Sequence, residues 1–428
     1  MEVVLLGTGS ARGWPEPGCP CASCSTAVTL RTARAPSAVL VDDVLLLDGS
    51  EGVQRAAACA GRTLSGVRSV LLSDVEQHLT APLTGLLRSG PAVDLLGPPA
   101  ALAPYRSLLA AEHRVRLVPI SPGHRLPAGD HLLRARARGD GLAWDITAPD
   151  GARLLYAPGV APLQEHPGAE KAYDLVVLGI GSGAGASTLA RLRASGGVTG
   201  STRVVTTGHG HDDGLPDALG PRLRAWGAHA PPDGTALVVQ RGTQSRAPDD
   251  DRLRGRTLVL GGARSGKSVL AERLLAASPG VTYVATGGTR ADDPEWQDRV
   301  AAHVARRPAS WSTVETTDVA GCLRVAQGPL LIDCLGTWLT ARLDHHRVWG
   351  GAPTTAVDAD VEQLVAAWRT ATVPVVAVSN EVGGGIVPAT ASGRLFRDLL
   401  GRLNAKVAAE SETVLFTVAG IALPLRRA

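Results

Sequence analysis

The sequence predicts an α/β protein of two units, on three observations. A polar stretch at residues 241–256, RGTQSRAPDDDRLRGR, carries charge, Pro and Gly without an apolar period, and so reads as a linker. Beyond it, short β-type runs alternate with longer helical patterns, as in a mostly parallel sheet flanked by helices. Finally, the glycine-rich stretch GGARSGKS (Gly261 to Ser268) falls between a strand pattern and a helical one. A chain of 428 residues also exceeds the roughly 100–200 of one ordinary domain. The expected division is residues 1–240, a linker at 241–256, and residues 257–428.

In the first unit, strand character belongs to VVLL from Val3, SAVLVDDVLLLD from Ser37, SVLLSD from Ser69, LLYA from Leu154, DLVVLG from Asp174 and RVVTTG from Arg203. Gly/Pro-rich turns and Ala/Leu/Arg-rich helical stretches separate them. ALVV (Ala236 to Val239) is the last apolar run before the linker. In the second unit the expected strands are Leu258–Leu260, Thr282–Ala285, Pro329–Asp333, Val373–Ser379 and Val414–Val418. The two halves share no internal repeat.

Composition narrows the function classes. Apolar residues make up 44 % and charged residues 19 %, enough to bury a core and exclude pervasive disorder. No run of about 18 apolar residues occurs, so no membrane span is expected. MEVVLLGTGSARG lacks the basic flank and the length of a secretory signal, so a cytoplasmic location is expected. The net charge of +3 is a balance of 43 basic against 40 acidic residues, with no concentrated basic stripe to engage nucleic acid. Lys occurs only at Lys171, Lys267 and Lys406, which makes Lys267 conspicuous. Cys19, Cys21 and Cys24 crowd into one short segment, which in a reducing compartment points to a metal rather than a disulfide.

Gly261 to Ser268 matches G-x-x-x-x-G-K-[ST], directly after TLVL and before VLAERLLAA. Gly261 and Gly266 let backbone N–H groups turn toward phosphate oxygens at the positive end of the next helix. Lys267 would reach the β- and γ-phosphates, and the Ser268 hydroxyl would ligate Mg²⁺. Asp333 ends the apolar strand PLLID and is the candidate second Mg²⁺ acid, with a helix N-cap as its alternative role. In PEWQDRVAAHVARRP, Arg299, His303 and Arg306 share a helical face. The two arginines could hold a triphosphate while a neutral His303 attacks phosphorus; the alternative is a solvated basic helix carrying one His.

The second unit resembles the bifunctional adenosylcobinamide kinase/adenosylcobinamide-phosphate guanylyltransferase family of cobalamin biosynthesis. GGARSGKS, YVAT (Tyr283 to Thr286), RVAAHVARRPASW (Arg299 to Trp311), LIDCLGTWLT (Leu331 to Thr340), VSNEVGGGIVP (Val378 to Pro388) and GRLFRDLLGRLN (Gly393 to Asn404) carry the resemblance. It implies a RecA-like P-loop NTPase fold and two reactions. ATP or GTP phosphorylates adenosylcobinamide; GTP then gives GMP to a histidine, which passes it to adenosylcobinamide phosphate. By this resemblance His303 is the nucleotidylated residue, with Lys267 the other catalytic one. Gly261, Gly262, Ala263, Arg264, Ser265, Gly266, Lys267 and Ser268 would cradle the phosphates. Asp333 matches the acidic position after the third strand, and Asn380 and Glu381 match a substrate-side motif. The family commonly forms homotrimers with shared active sites, so a homo-oligomer is implied.

The first unit resembles the metallo-β-lactamase superfamily, particularly its phosphodiesterase-like branch, through VVLLGTGSARGWPEPGCPCASC, LLLDGS at Leu45, SVLLSD with QHL, RLLYAPG at Arg153 and TTGHGH at Thr206. An αββα sandwich is implied. The superfamily's H-x-H-x-D-H is replaced by Ser73, Asp74, Val75, Glu76, Gln77 and His78; its bridging Asp falls at about Gly159 and its final His at Gly208. A catalytic dinuclear centre is therefore not expected, although a shifted site on Asp74, Glu76 and His78 is conceivable. The relatives carry a structural zinc, implying Cys19, Cys21, Cys24 and His211 as ligands, with His209 the runner-up for the imidazole. A degenerate hydrolase retaining only its structural Zn²⁺ is the expected first unit; an active metallohydrolase served by the P-loop half is the rival, and a nucleotide-gated binding module the non-enzyme alternative.

Overall fold

The computed structural model describes residues 1–73, 83–108, 114–159, 161–164, 171–214, 216–242, 255–288, 297–298, 301 and 304–426. The chain divides into two compact units, Met1–Asp250 and Asp251–Ala428. Among the described residues no helix is long and apolar enough to cross a membrane.

The first unit runs β1 (Glu2–Gly7), α1 (Ala22–Leu30), β2 (Ala38–Val41), β3 (Leu45–Asp48), α2 (Val53–Cys59), β4 (Ser69–Leu71), α3 (Thr84–Ser89), β5 (Val93–Gly97), α4 (Pro99–Leu108) and β6 (Val115–Pro119). It continues through β7 (Arg125–Ala128), β8 (His131–Arg138), β9 (Gly141–Thr147), β10 (Arg153–Ala157), β11 (Leu175–Gly179), α5 (Ala184–Ala194), β12 (Arg203–Thr207), α6 (Pro216–Ala225) and β13 (Thr235–Val238). One sheet has the order β13-β1-β2-β3-β4-β5-β6 and the other β12-β11-β10-β9-β8-β7. Val3, Leu5 and Leu47 from the first sheet pack with Trp144, Leu154 and Val177 from the second. On the outer face of the first sheet, Val4, Leu6 and Leu46 meet Ala57, Leu87 and Leu102 from the helices. Both faces of β1 are thus buried, which is why it reads as an uninterrupted apolar run. α5 covers β11 on the far side of the second sheet. The result is the αββα sandwich the resemblance implies.

The single run Ser37–Asp48 proves to be two antiparallel strands. Asp42 and Asp43 take positive φ at the turn, a conformation that Asp tolerates better than most residues. β5 to β9 were not legible as strands. In β8, HLLRARAR, Arg136 is fully buried and donates to Asp145 at 2.9 Å, so a charge stands where alternation calls for an apolar residue.

The second unit runs β14 (Arg256–Gly261), α7 (Lys267–Leu275), β15 (Thr282–Ala285), β16 (Ser312–Glu315), α8 (Val319–Val325), β17 (Leu330–Asp333), α9 (Leu335–His345), α10 (Thr355–Arg369), β18 (Val375–Asn380), α11 (Ala391–Ala409), β19 (Thr413–Val418) and β20 (Ile421–Arg426). The sheet order is β16-β15-β17-β18-β14-β19-β20. Every pairing is parallel except β19 with β20. The five expected strands are present, with ends shifted by at most two residues. The two edge strands, β16 and β20, are additions: all four residues of β16 are exposed, so burial left no pattern there.

Candidate functional site

β14 delivers Gly261 to the carboxyl end of the sheet, level with Asn380 on β18 and Thr417 on β19. The chain turns there and enters α7 at Lys267, with Gly266 as N-cap at φ +94°. A left-handed residue at this position is what aims the first amides of α7 back over the loop, and only Gly adopts it without steric cost. The turn is held from outside: Gly420 N–H donates to the Ser265 carbonyl at 2.9 Å, and Glu381 N–H to the Gly261 carbonyl at 3.0 Å. Lys267 Nζ donates to the Gly262 carbonyl at 3.1 Å, folding its ammonium over the loop. Among the described residues, buried Ser265 Oγ and Thr417 Oγ1 have no hydrogen-bond partner.

Asp333 ends β17, in register with Ala285 of β15 and Val378 of β18. Tyr283 OH donates to Asp333 Oδ2 at 2.7 Å, and Thr286 N–H to the Asp333 carbonyl at 3.2 Å. Burial pushes the Tyr283 phenol up, so it stays protonated as a donor. The Arg307 guanidinium lies over the Tyr283 ring at 3.2 Å from its centroid. Asp333 does not cap the following helix; that role belongs to Cys334, whose Sγ accepts from Thr337 N–H at 3.4 Å. Its carboxylate and the Ser268 hydroxyl are hard oxygen donors of the kind Mg²⁺ prefers.

Arg299 and His303 lie outside the described residues. Arg306 is paired with Glu272 of α7 through two hydrogen bonds at 3.1 and 3.2 Å. Its charge is compensated by that carboxylate in this arrangement. Asn380 closes β18, its carbonyl accepting from Asn404 Nδ2 at 3.0 Å. Glu381 accepts from Gly383 N–H at 2.6 Å, bracing the loop that follows. Sequence reasoning missed Tyr283 and Thr286 as supports of Asp333. Their signal was present in YVAT, read only as part of a resemblance.

In the first unit, Cys19, Cys21, Cys24 and His211 place one ligand atom each within 4.8 Å of one another. His211 Nδ1 stands 3.2 Å from Cys19 Sγ and 3.9 Å from Cys24 Sγ. Cys21 caps α1, its thiol accepting from Cys24 N–H at 3.4 Å and lowered to about 7 chiefly by that bond. Burial pushes Cys24 up to about 11, a cost that a bound cation offsets. Three sulfurs and one imidazole this close fit a closed tetrahedral site. His209 does not join them: it is buried against the hydroxyl and carbonyl of Thr206.

The positions at which the resemblance would place catalytic metal ligands look different. Asp74, Glu76 and His78 lie outside the described residues. Both carboxylate oxygens of buried Asp48 are in use, one by Ser73 N–H at 2.7 Å and one by Tyr156 OH at 2.9 Å. Gly159 packs so tightly on Gly179 that a Cβ at Gly179 would lie 2.4 Å from Gly159 N. Backbone stands there in place of ligand side chains.

A glycine-rich loop joining strand to helix in a parallel sheet, with Lys at the helix start and an acid ending a nearby strand, defines the second unit as a P-loop phosphate-binding unit. Through it the chain belongs to the cobinamide kinase / cobinamide phosphate guanyltransferase family, whose model matches residues 257–425. A bifunctional adenosylcobalamin biosynthesis protein of Pseudomonas aeruginosa is 42 % identical over 179 residues, 40 % of this chain and 97 % of that protein. One from Salmonella typhimurium is 37 % identical over 180 residues, 40 % of this chain and 98 % of that protein. Among solved structures, zinc-bound PqqB from Methylobacterium extorquens covers 56 % of this chain and 100 % of its own at 21 % identity and a TM-score of 0.44. A diphosphatase of the PhnP family covers 55 % and 96 % at 15 % identity and a TM-score of 0.41.

Proposed function

We propose that the second unit is a bifunctional enzyme of adenosylcobalamin biosynthesis. It phosphorylates adenosylcobinamide with ATP or GTP and then transfers GMP from GTP to adenosylcobinamide phosphate, giving adenosyl-GDP-cobinamide. The carrying observation is the loop Gly261–Ser268 at the carboxyl end of β14, with Lys267 folded over it. In the kinase step the substrate hydroxyl oxygen attacks the γ-phosphorus, and the nucleoside diphosphate leaves. The loop amides and Lys267 take up charge on the phosphate oxygens. Ser268 and Asp333 would hold Mg²⁺, which when bound neutralises the β- and γ-phosphate oxygens. Tyr283 keeps Asp333 oriented by hydrogen-bonding one of its oxygens.

In the second step a neutral His303 nitrogen attacks the α-phosphorus of GTP and pyrophosphate leaves. A phosphate oxygen of adenosylcobinamide phosphate then attacks that phosphorus and the imidazole departs, restoring the enzyme. Arg299 and Arg306 would steady the triphosphate, Arg306 after release from Glu272. A homotrimer with shared sites accords with the family resemblance. The first unit carries structural Zn²⁺ on Cys19, Cys21, Cys24 and His211 and contributes no hydrolysis. The test is conversion of adenosylcobinamide by the full chain with GTP and Mg²⁺: product by mass spectrometry from wild type, and neither half-reaction from Lys267→Ala. Wild type without product, or a fully active Lys267→Ala, overturns the assignment.

A further inference from the structure

The loop after β18 ends in an apolar tip that no step above uses. Its root is fixed on the phosphate loop by the Glu381 N–H bond to the Gly261 carbonyl, 3.0 Å. Glu381 Oε1 braces Gly383 N–H from within, while Arg397 donates to the Gly383 carbonyl. The far limb is tied by Arg394 Nη1, which donates to the carbonyls of Pro388 at 3.0 Å and Ala389 at 2.7 Å. Between these anchors stand Gly384, Gly385, Ile386 and Val387. Ile386 is 97 % exposed and Val387 63 %. An Ile–Val pair facing solvent on a loop anchored at both limbs has a cost that a partner surface removes.

We infer that Ile386 and Val387 form an apolar pad that seats the corrin macrocycle of cobinamide while its aminopropanol arm reaches the phosphate loop. The inference rests on the proposed function and names the substrate contact of that same site. Reach supports it: five residues from Glu381 to Ile386 span at most about 17 Å, so the tip stays close to the loop that holds the reacting phosphate. Chemistry supports it as well. A corrin face is broad and methyl-rich and its peripheral amides are uncharged, so an aliphatic, uncharged tip matches it, whereas a nucleotide would call for cations or hydrogen-bond donors. Among the described residues, the charged side chains bonded to the loop's backbone, Glu381, Arg394 and Arg397, sit at its base.

The test compares wild type with Ile386→Ser/Val387→Ser and with the conservative Ile386→Leu, all in the full chain. Cobinamide binding is read by equilibrium dialysis, and KM for cobinamide and for the nucleotide are read separately in the kinase step. The double Ser variant should raise the Kd and KM for cobinamide about tenfold, equivalent to about 1.4 kcal/mol, and leave the nucleotide KM unchanged. Ile386→Leu should stay near wild type. Unchanged cobinamide constants overturn the inference. So does a joint rise in both KM values, which assigns the pair to loop architecture. A change in particle mass by light scattering likewise overturns it, since the pair would then belong to a contact between copies. A wild type that turns over no cobinamide at all would instead strike the proposed function, so the two failures are distinct.

Discussion

The three glycines of the phosphate loop should respond to alanine in different ways, and the structure sets the order. At Gly261 a Cβ would lie 2.4 Å from Ser265 Oγ and 2.6 Å from the Thr417 carbonyl oxygen. The hydroxyl can rotate away, but the carbonyl belongs to β19 and moves only with its strand, so overpacking of about 1–3 kcal/mol is expected. At Gly266 the collision is milder, 3.2 Å from Gly420 Cα, and the cost comes from φ +94°, about 1–2 kcal/mol for a residue with a side chain. At Gly262 nothing among the described residues stands within 4 Å and φ is not left-handed. Gly262→Ala should therefore be neutral or stabilising by about 0.4–1 kcal/mol, through the unfolded chain. The readout is calorimetric unfolding of the full chain, following the transition that Mg·GTP raises. About 1 kcal/mol corresponds to a shift of about 2–4 °C in a unit of this size. Nucleotide affinity gives the second readout, because the open space above Gly262 is where phosphate would sit; Gly262→Ala should weaken GTP binding while leaving stability intact. A Gly262→Ala variant as destabilised as Gly266→Ala would refute the loop geometry on which the site is built.

Other expectations follow from neighbouring contacts. Tyr283→Phe removes the bond to Asp333, worth about 1 kcal/mol, and should raise the Mg²⁺ concentration for half-maximal kinase activity severalfold without altering metal-free GTP binding. Purified protein should carry one zinc per chain by elemental analysis, and Cys24→Ser should lose it with the kinase rate unchanged; retention of zinc by the variant contradicts the ligand set. The Arg256 guanidinium holds the Glu412 carboxyl at about 2, below its ordinary value of 4.5. A carboxyl lowered on folding contributes stability that is complete above about pH 4.5 and is lost as pH falls toward 2. Glu412→Gln should flatten the acid limb of the stability curve over that window, and an unchanged limb would remove Glu412 from the account.

Legibility differed between the halves for physical reasons. The second unit's central strands are buried on both faces, so burial itself wrote apolar runs, and Thr282–Ala285 was readable to the residue. Its edges β16 and β20 are exposed and left no such imprint. The phosphate loop was readable because a left-handed Gly266 and a lone Lys267 are required by geometry and chemistry together. In the first unit the Arg-bearing strand β8 hid behind its buried Arg136–Asp145 pair. The metal cluster was half readable: three thiolates lie in one short segment, while His211 comes from a distant loop and was chosen over His209 only by resemblance. The pairing of Arg306 with Glu272 on α7 was not legible, because helical spacing reports which side chains share a face and not what stands beside that face.

The covalent intermediate is the central claim, and labelling measures it most directly. Full-length wild type and His303→Ala are incubated with GTP labelled at the α-phosphorus and Mg²⁺, then resolved under denaturing conditions. Wild type should retain an acid-labile label that adenosylcobinamide phosphate discharges, and the variant should retain none; guanylyl transfer at the normal rate by the variant would contradict the account.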